Sequence, residues 1–180
     1  PMAMTDGGIG QVGDKIYLVA GWQNTSESVV TWITTDSILE YDMVKDTFIF
    51  RKKSPLKICS SISCMMNDTM YLLGGIGSIN PEVLYPYDAK IYDPVSEEWD
   101  MASLQNTQYE HIMHGTAEVL DGLIYLFSSI GGKFPNFYID RSEKYDGENW
   151  TPIAEMPVPV VLARSVVHDN KILLFGGDDF

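Results

Sequence analysis

Four stretches of this chain repeat one plan, and that repetition restricts its fold more than any other feature. IGQVGDKIYLVAG, SCMMNDTMYLLGG, AEVLDGLIYLFSS and SVVHDNKILLFGG each join two apolar runs through a two-residue turn and end in small residues. With Ile16, Met70, Ile124 and Ile172 as equivalent positions, the spacings are 54, 54 and 48. A second pattern keeps the same period: Tyr41-Asp42 with Phe48, Tyr92-Asp93 with Trp99, and Tyr145-Asp146 with Trp150. Two separate features recurring in phase define a structural repeat.

Each repeat reads as four short strands, A to D. Gly13-Asp14, Asn67-Asp68, Asp121-Gly122 and Asp169-Asn170 tolerate the positive φ of tight hairpin turns, so A and B are antiparallel neighbours. Strand B (Ile16–Val19, Met70–Leu73, Ile124–Phe127, Ile172–Phe175) is apolar throughout, which requires cover on both faces. Strand C runs into Tyr-Asp, a turn follows, and the aromatic residue opens strand D. Repeats of roughly fifty residues with four strands each predict an all-β fold, a β-propeller with one blade per repeat. The blades are expected at about 8–56, 57–104 and 110–156, with strands A and B of a fourth at about 160–177. Three and a half blades suggest a fragment of a larger ring, prone to self-association through exposed blade edges.

Composition bounds the function. At 45% hydrophobic, the chain is no disordered segment. No apolar run reaches the ~18 residues of a membrane span, so a soluble protein is expected. A net charge of −13 disfavours nucleic acid and acidic membrane surfaces as partners. Cys59 and Cys64, five apart on one expected strand, read as free thiols rather than a disulfide or zinc framework. No basic-then-apolar leader opens the chain. No Gly-rich phosphate loop and no Gly-x-Ser-x-Gly elbow occurs.

On these residues the chain resembles the kelch-repeat propellers. Gly74-Gly75 and Gly176-Gly177 close strand B, Tyr92-Asp93-Pro94 closes strand C, and Trp99 and Trp150 open strand D. The first and third units depart from the glycine pair, with Ala20-Gly21 and Ser128-Ser129, and Phe48 replaces Trp in the first. The resemblance implies that the B–C and D–A loops emerge on one binding face. The B–C loops (about 22–36, 76–89 and 130–140) are long and rich in rings and amides. They carry Trp22, Asn24 and Trp32, then Asn80, Tyr85 and Tyr87, then Phe134, Asn136, Phe137 and Tyr138, with Arg141 just beyond. Aromatic anchors beside amides are the composition of interaction surfaces, although such rings also pack over blade tops. His111 and His114 in the third D–A segment join the candidate set. Three apart in an extended strand, they would diverge, and no third ligand accompanies them, so no metal or cofactor is expected.

Three further groups of charges call for a reading. Glu118 and Arg164 intrude on apolar A strands and are expected to pair near the central channel. Arg51, Lys52, Lys53 and Lys57 read as charges guarding an outer strand edge. Asp178-Asp179 and Glu97-Glu98 read as solvated loop carboxylates.

The function expected is a non-catalytic module that presents its loops to a protein partner, as the substrate-recognition part of a ubiquitin-ligase adaptor does, in the cytoplasm. The Arg that often opens strand A in such adaptors is replaced here by Met4, Ile58, Ile112 and Val160, which argues against capture of acidic peptides. The alternative is a sugar-processing enzyme of the sialic acid mutarotase type, with Arg164, Glu118, His111 and His114 as its local candidates. A cytoskeletal cross-linker would differ only in its partner.

Overall fold

The structure is a computed structural model that describes residues 4–24, 32–79, 82–84, 90–100, 112–127, 129–130, 138–139, 142–158 and 160–178. Every regular element among them is a strand. Three sheets have the same four-stranded antiparallel order A-B-C-D. The first is built from Gly8–Val12, Lys15–Val19, Ile38–Asp42 and Thr47–Phe50. The second uses Ile62–Met66, Thr69–Leu73, Lys90–Asp93 and Glu98–Asp100. The third uses Thr116–Leu120, Leu123–Phe127, Glu143–Tyr145 and Trp150–Pro152. Arg164–His168 and Lys171–Phe175 add an A–B hairpin. The register repeats too: Ile16 lies opposite Tyr41, Met70 opposite Tyr92, and Ile124 opposite Tyr145. They lie side by side as successive propeller blades, with strand A of each against strand A of the next.

The Tyr-Asp pairs do the same work three times. Asp42 accepts the backbone N–H groups of Val44 and Lys45, Asp93 those of Val95 and Ser96, and Asp146 those of Glu148 and Asn149. Each carboxylate so pins the turn into strand D. The tyrosine then meets the aromatic residue that opens strand D. Ring centroids lie 4.7 Å apart for Tyr41–Phe48, 4.8 Å for Tyr92–Trp99 and 5.1 Å for Tyr145–Trp150, all tilted by 31–34°.

Those turns make the fold acid-sensitive. The N–H of Lys45 above all holds Asp42 below the usual carboxylate range. The hydroxyl and N–H of Ser96 do so for Asp93, and the N–H of Asn149 for Asp146. A depressed folded-state pKa contributes stability that is present above the unfolded value of ~3.9 and is lost as pH falls through the folded value. Melting temperature is therefore expected to drop on acidification below about pH 4. The triple variant Asp42→Asn, Asp93→Asn, Asp146→Asn is expected to flatten that acid limb, as calorimetry across pH would record.

Between blades the packing is apolar, and a charged seam joins the first blade to the second. Tyr17, Val19 and Ile38 of the first blade meet Met70, Leu72 and Tyr92 of the second, all buried. Ile62, Cys64 and Leu73 of the second meet Ala117, Ile124, Leu126, Tyr145 and Trp150 of the third. Strand B of the second blade is thus covered on both faces, as its composition requires. The outward faces of the first blade and of the last hairpin are not: Phe48 and Phe50 are 62% and 64% exposed, and Phe175 is 54% exposed.

The seam centres on Glu40, which is 1% exposed. It receives Lys15 and lies 3.4 Å from Arg51, which reaches Glu97 of the second blade at 2.6 Å. Lys52 lies 3.9 Å from Glu98, and Lys53 binds Asp36 at 2.9 Å. This differs from the expected edge guard. Arg51, Lys52 and Lys53 follow strand D instead of lying on it; Arg51 and Lys52 face Glu97 and Glu98 of the next blade, Lys53 stays with Asp36 of its own, and Lys57 opens the strand Lys57–Cys59.

The first member of the Gly74-Gly75 pair sits against the third blade. Gly74 and Gly75 have φ of 60° and 94°. A Cβ on Gly74 would overlap the carbonyl oxygen of Ile112 in the third blade, and one on Gly75 would lie 2.7 Å from that of Cys59. The Gly75 N–H donates to Ile112 at 2.7 Å, just as Gly21 donates to Ile58 at 2.6 Å.

Cys59 and Cys64 do not share one strand. Ser60 (φ 57°) turns a corner between them, which leaves Cys59 on Lys57–Cys59 and Cys64 on Ile62–Met66. Both are free and buried, and burial pushes their thiols up to about 11 and about 12. Neither is expected to react with iodoacetamide at pH 8 in the native state, and both should react once the chain is unfolded; mass spectrometry counts the adducts.

Candidate functional site

The segments expected as plain loops are partly β structure. Trp22–Asn24 pairs with Trp32–Thr34 and, on its other edge, with Met4–Thr5. Ile76–Ile79 likewise takes Glu82–Leu84 on one side and Lys57–Cys59 on the other. Ser129–Ile130 pairs with Tyr138–Ile139. Each B–C excursion therefore begins and ends as a hairpin. In the first two blades that hairpin is anchored on the segment leading into strand A, which satisfies backbone groups a bare loop would leave to water. This pairing brings B–C and D–A segments to one end of the blades.

The candidate residues fall unevenly on this frame. Trp22 and Asn24 are half-buried on the first hairpin, with Asn24 opposite Trp32. Tyr138 lies opposite Ile130 in the third. Asn80, Tyr85, Tyr87, His111, Phe134, Asn136, Phe137 and Arg141 lie outside the described residues. His114 is not in a strand; it occupies a corner before strand A with φ of 57°.

That corner belongs to a set that no motif in the sequence marks. Asp6, Ser60, His114 and Leu162 all have positive φ, between 57° and 59°. They are 54, 54 and 48 residues apart, the spacing of the anchors. Each N–H donates to the carbonyl one repeat earlier: Ser60 to Asp6 at 2.8 Å, His114 to Ser60 at 3.4 Å, and Leu162 to His114 at 2.8 Å. A backbone rail so crosses from blade to blade at the mouth of the bore. Four chemically unlike residues hold equivalent places, so only their spacing could have revealed them.

Beside the rail, a groove of about 540 Å³ runs between the A strands. Asp6, His114, Glu118, Arg164 and Ser165 line it. Ser60 donates its hydroxyl to Asp6, and His114 Nδ1 lies 3.9 Å from the same carboxylate. The serine proton is thus given to the aspartate and not to the imidazole, so this is no nucleophile–base pair. Hydroxyls stitch neighbouring A strands: Ser63 donates to the Ile9 carbonyl at 3.1 Å and accepts its N–H at 3.0 Å, and Ser165 binds Thr116 and donates to Glu118 at 2.8 Å.

The expected Glu118–Arg164 pair does not form. Among the described residues Glu118 takes its hydrogen bond from Ser165, and Arg164 Nη1 donates to the Ala163 carbonyl at 3.4 Å. Equal strand parity is the reason. Glu118 faces the blade after its own, and Arg164, one blade on, faces away from Glu118. His168 ends its strand exposed, 3.4 Å from Asp169. No group of three His, Cys, Asp or Glu is placed to hold a metal, and no helix is long and apolar enough to cross a membrane, among the described residues.

No protein-family profile matches the chain. Among curated proteins it is 23% identical over 182 residues to Kelch-like protein terF of Aspergillus terreus, covering 94% of this chain and 38% of that one. It is 35% identical over 126 residues to Kelch-like protein 25 of Rattus norvegicus, covering 66% of this chain and 20% of that one. The chain therefore spans well under half the length of these relatives. Among solved structures, one titled "Structure of YjhT" superposes with a TM-score of 0.78 at 12% identity, over 97% of this chain and 59% of that one. With the repeated blades, paired rings and glycine corners already described, these likenesses identify the chain as a run of kelch repeats folded as consecutive blades of a β-propeller.

Proposed function

We propose that this run of blades is a protein-recognition module, and within that class the substrate-binding part of a ubiquitin-ligase adaptor acting in the cytoplasm. The kelch-like character of the relatives supports this reading most directly. The contact surface is the end where the B–C hairpins meet the D–A segments, centred on Trp22, Trp32, Tyr85, Tyr87, Phe137 and Tyr138. Trp22, half-buried on a hairpin paired along both edges, offers contact area at little entropic cost. Ile58 and Ile112 are buried at 1% and 2% exposure, so two of the places where an adaptor often carries Arg belong here to the packing. These positions offer no arginine with which to grip an acidic peptide, which argues against that class of partner. A photo-cross-linking residue placed at Trp32, Tyr87 or Phe137 is expected to capture a protein partner, and one at Val44 on the outer rim is not. Adducts at Val44 alone would sink the assignment.

A second reading rests on the groove. Asp6, His114, Glu118 and Arg164 line one polar cleft, which is what sugar chemistry of the mutarotase type needs as a proton-transfer site. Magnetisation-exchange NMR on sialic acid anomers tests it. Acceleration over buffer that Glu118→Gln removes would favour the enzyme, and no acceleration excludes it.

A further inference from the structure

We propose that the outer edge of strand D in the first blade pairs with the same edge of a second copy, as two antiparallel strands related by a two-fold axis. In the order A-B-C-D, strand D lies farthest from the A strands that line the bore. Its outer edge therefore points away from the bore, across the direction in which blades stack. The ladder shows which groups that edge presents. Arg51 donates its N–H to the Ile38 carbonyl directly opposite. Bonded and non-bonded pairs alternate in an antiparallel ladder, so Ile49 and Thr47 also turn their backbone groups to strand C. Phe48 and Phe50 turn theirs outward, and among the described residues nothing meets them.

The other two blades block this edge and the first does not. Tyr41, Tyr92 and Tyr145 lie opposite Phe48, Trp99 and Trp150, which fixes the equivalent places along strand D. Pro152 of the third blade stands where Phe50 does, and a proline there removes the outward N–H. Asp100 of the second blade stands where Ile49 does, with Glu98 two residues before it. Charges and prolines are the usual guards of a sheet edge. Thr47-Phe48-Ile49-Phe50 has neither, and all four residues are exposed. Ile49 lies opposite Glu40 and so on the face toward the second blade, yet it is 46% exposed.

The edge is complementary to itself. With the axis at Ile49, Phe48 of one copy exchanges both backbone hydrogen bonds with Phe50 of the other, which uses every outward group. Just beyond the strand, Asp46 of one copy comes across from Lys52 of the other, which its own Glu98 holds only at 3.9 Å. Lys45 and Lys53 also come together, but each is already answered within its own copy, by Asp42 at 3.0 Å and Asp36 at 2.9 Å. Residues 45–53 include Lys45, Arg51, Lys52 and Lys53 against Asp46 alone, in a chain of net charge −13. Two such acidic molecules repel each other least along this segment. The contact is isologous, the same strand meeting itself.

Sedimentation velocity and amide hydrogen exchange across a concentration series test this on the wild-type chain, Phe50→Pro, Phe50→Ala and Ile49→Lys. Phe50→Pro copies the guard at Pro152 and spares the ladder to strand C, whereas Phe50→Ala removes the ring and keeps the N–H. Ile49→Lys sets two like charges opposite each other across the axis. Wild type is expected to move from the 20.2 kDa of one chain to twice that mass as concentration rises, with exchange at Phe48 and Phe50 slowing in step. Phe50→Ala should still pair, and Phe50→Pro and Ile49→Lys should stay monomeric. A wild type that is monomeric throughout overturns the proposal. So does association that leaves exchange at Phe48 and Phe50 unchanged, that survives in Phe50→Pro, or that Phe50→Ala abolishes as fully as Phe50→Pro, which marks ring packing instead of strand pairing.

Discussion

Gly74→Ala is expected to destabilise the chain by about 3 kcal/mol, and Gly176→Ala by only about 1 kcal/mol, although both glycines have the same φ of 60°. The left-handed conformation penalises any side chain at either place, but mildly: Ala20 occupies the equivalent corner of the first blade, also with φ of 60°. What differs is the neighbour. The new methyl at position 74 overlaps the Ile112 carbonyl, which is already fixed by the Gly75 N–H, so that relief of the overlap breaks the bond joining the second and third blades. At position 176 the methyl enters open space. Thermal melting of both variants measures the difference, about 2–4 °C for each kcal/mol in a chain of this size. Equal losses would mean that the glycine pair serves backbone conformation alone and not the contact between blades.

Arg51→Ala is expected to cost about 3 kcal/mol, far more than removal of a surface charge. Its guanidinium answers two carboxylates, Glu40 inside the first blade and Glu97 on the second. Without it, Glu40 keeps Lys15 but stays 1% exposed, with its second oxygen left without a compensating cation. The double variant Glu40→Leu, Arg51→Met is expected to lose much less than the single one, because it removes the desolvated carboxylate together with its partner. Lys52→Ala provides the contrast. The Lys52–Glu98 pair is 3.9 Å apart and largely exposed, so its loss should lie within about 1 kcal/mol. Denaturant unfolding of the set decides: a double variant as damaged as Arg51→Ala would show that the side chains matter for their packing and not for charge.

The blade itself was legible in the sequence because its signals are local. Turn dipeptides fix the A–B register, and Asp42, Asp93 and Asp146 each bind N–H groups two and three residues on, a bond that hardly depends on the rest of the fold. What escaped was set between repeats. Arg51 looked like an edge charge because nothing along the chain shows that strand D ends beside Glu97. Composition alone sets Cys59 and Cys64 on one strand, because a serine at positive φ leaves no mark in it. The rail of Asp6, Ser60, His114 and Leu162 shares geometry without sharing chemistry, so a search for similar residues passes over it. The Glu118–Arg164 expectation failed on a simple point: equal parity in successive blades sets side chains facing the same way around the ring, not toward each other. Most of the proposed recognition residues lie on B–C excursions, where repeats differ in length and composition and the period gives no guidance.

The central claim is that one four-stranded unit recurs every 48 to 54 residues and stacks side by side around a bore. Nuclear Overhauser contacts between aromatic ring protons test it most directly. The account predicts three matching sets, Tyr41 with Phe48, Tyr92 with Trp99, and Tyr145 with Trp150, together with cross-strand contacts from Tyr71 to Cys64 and from Tyr125 to Glu118. Helical sequential contacts through Tyr71 or Tyr125, or ring pairs present in one repeat and missing from the next, would contradict it.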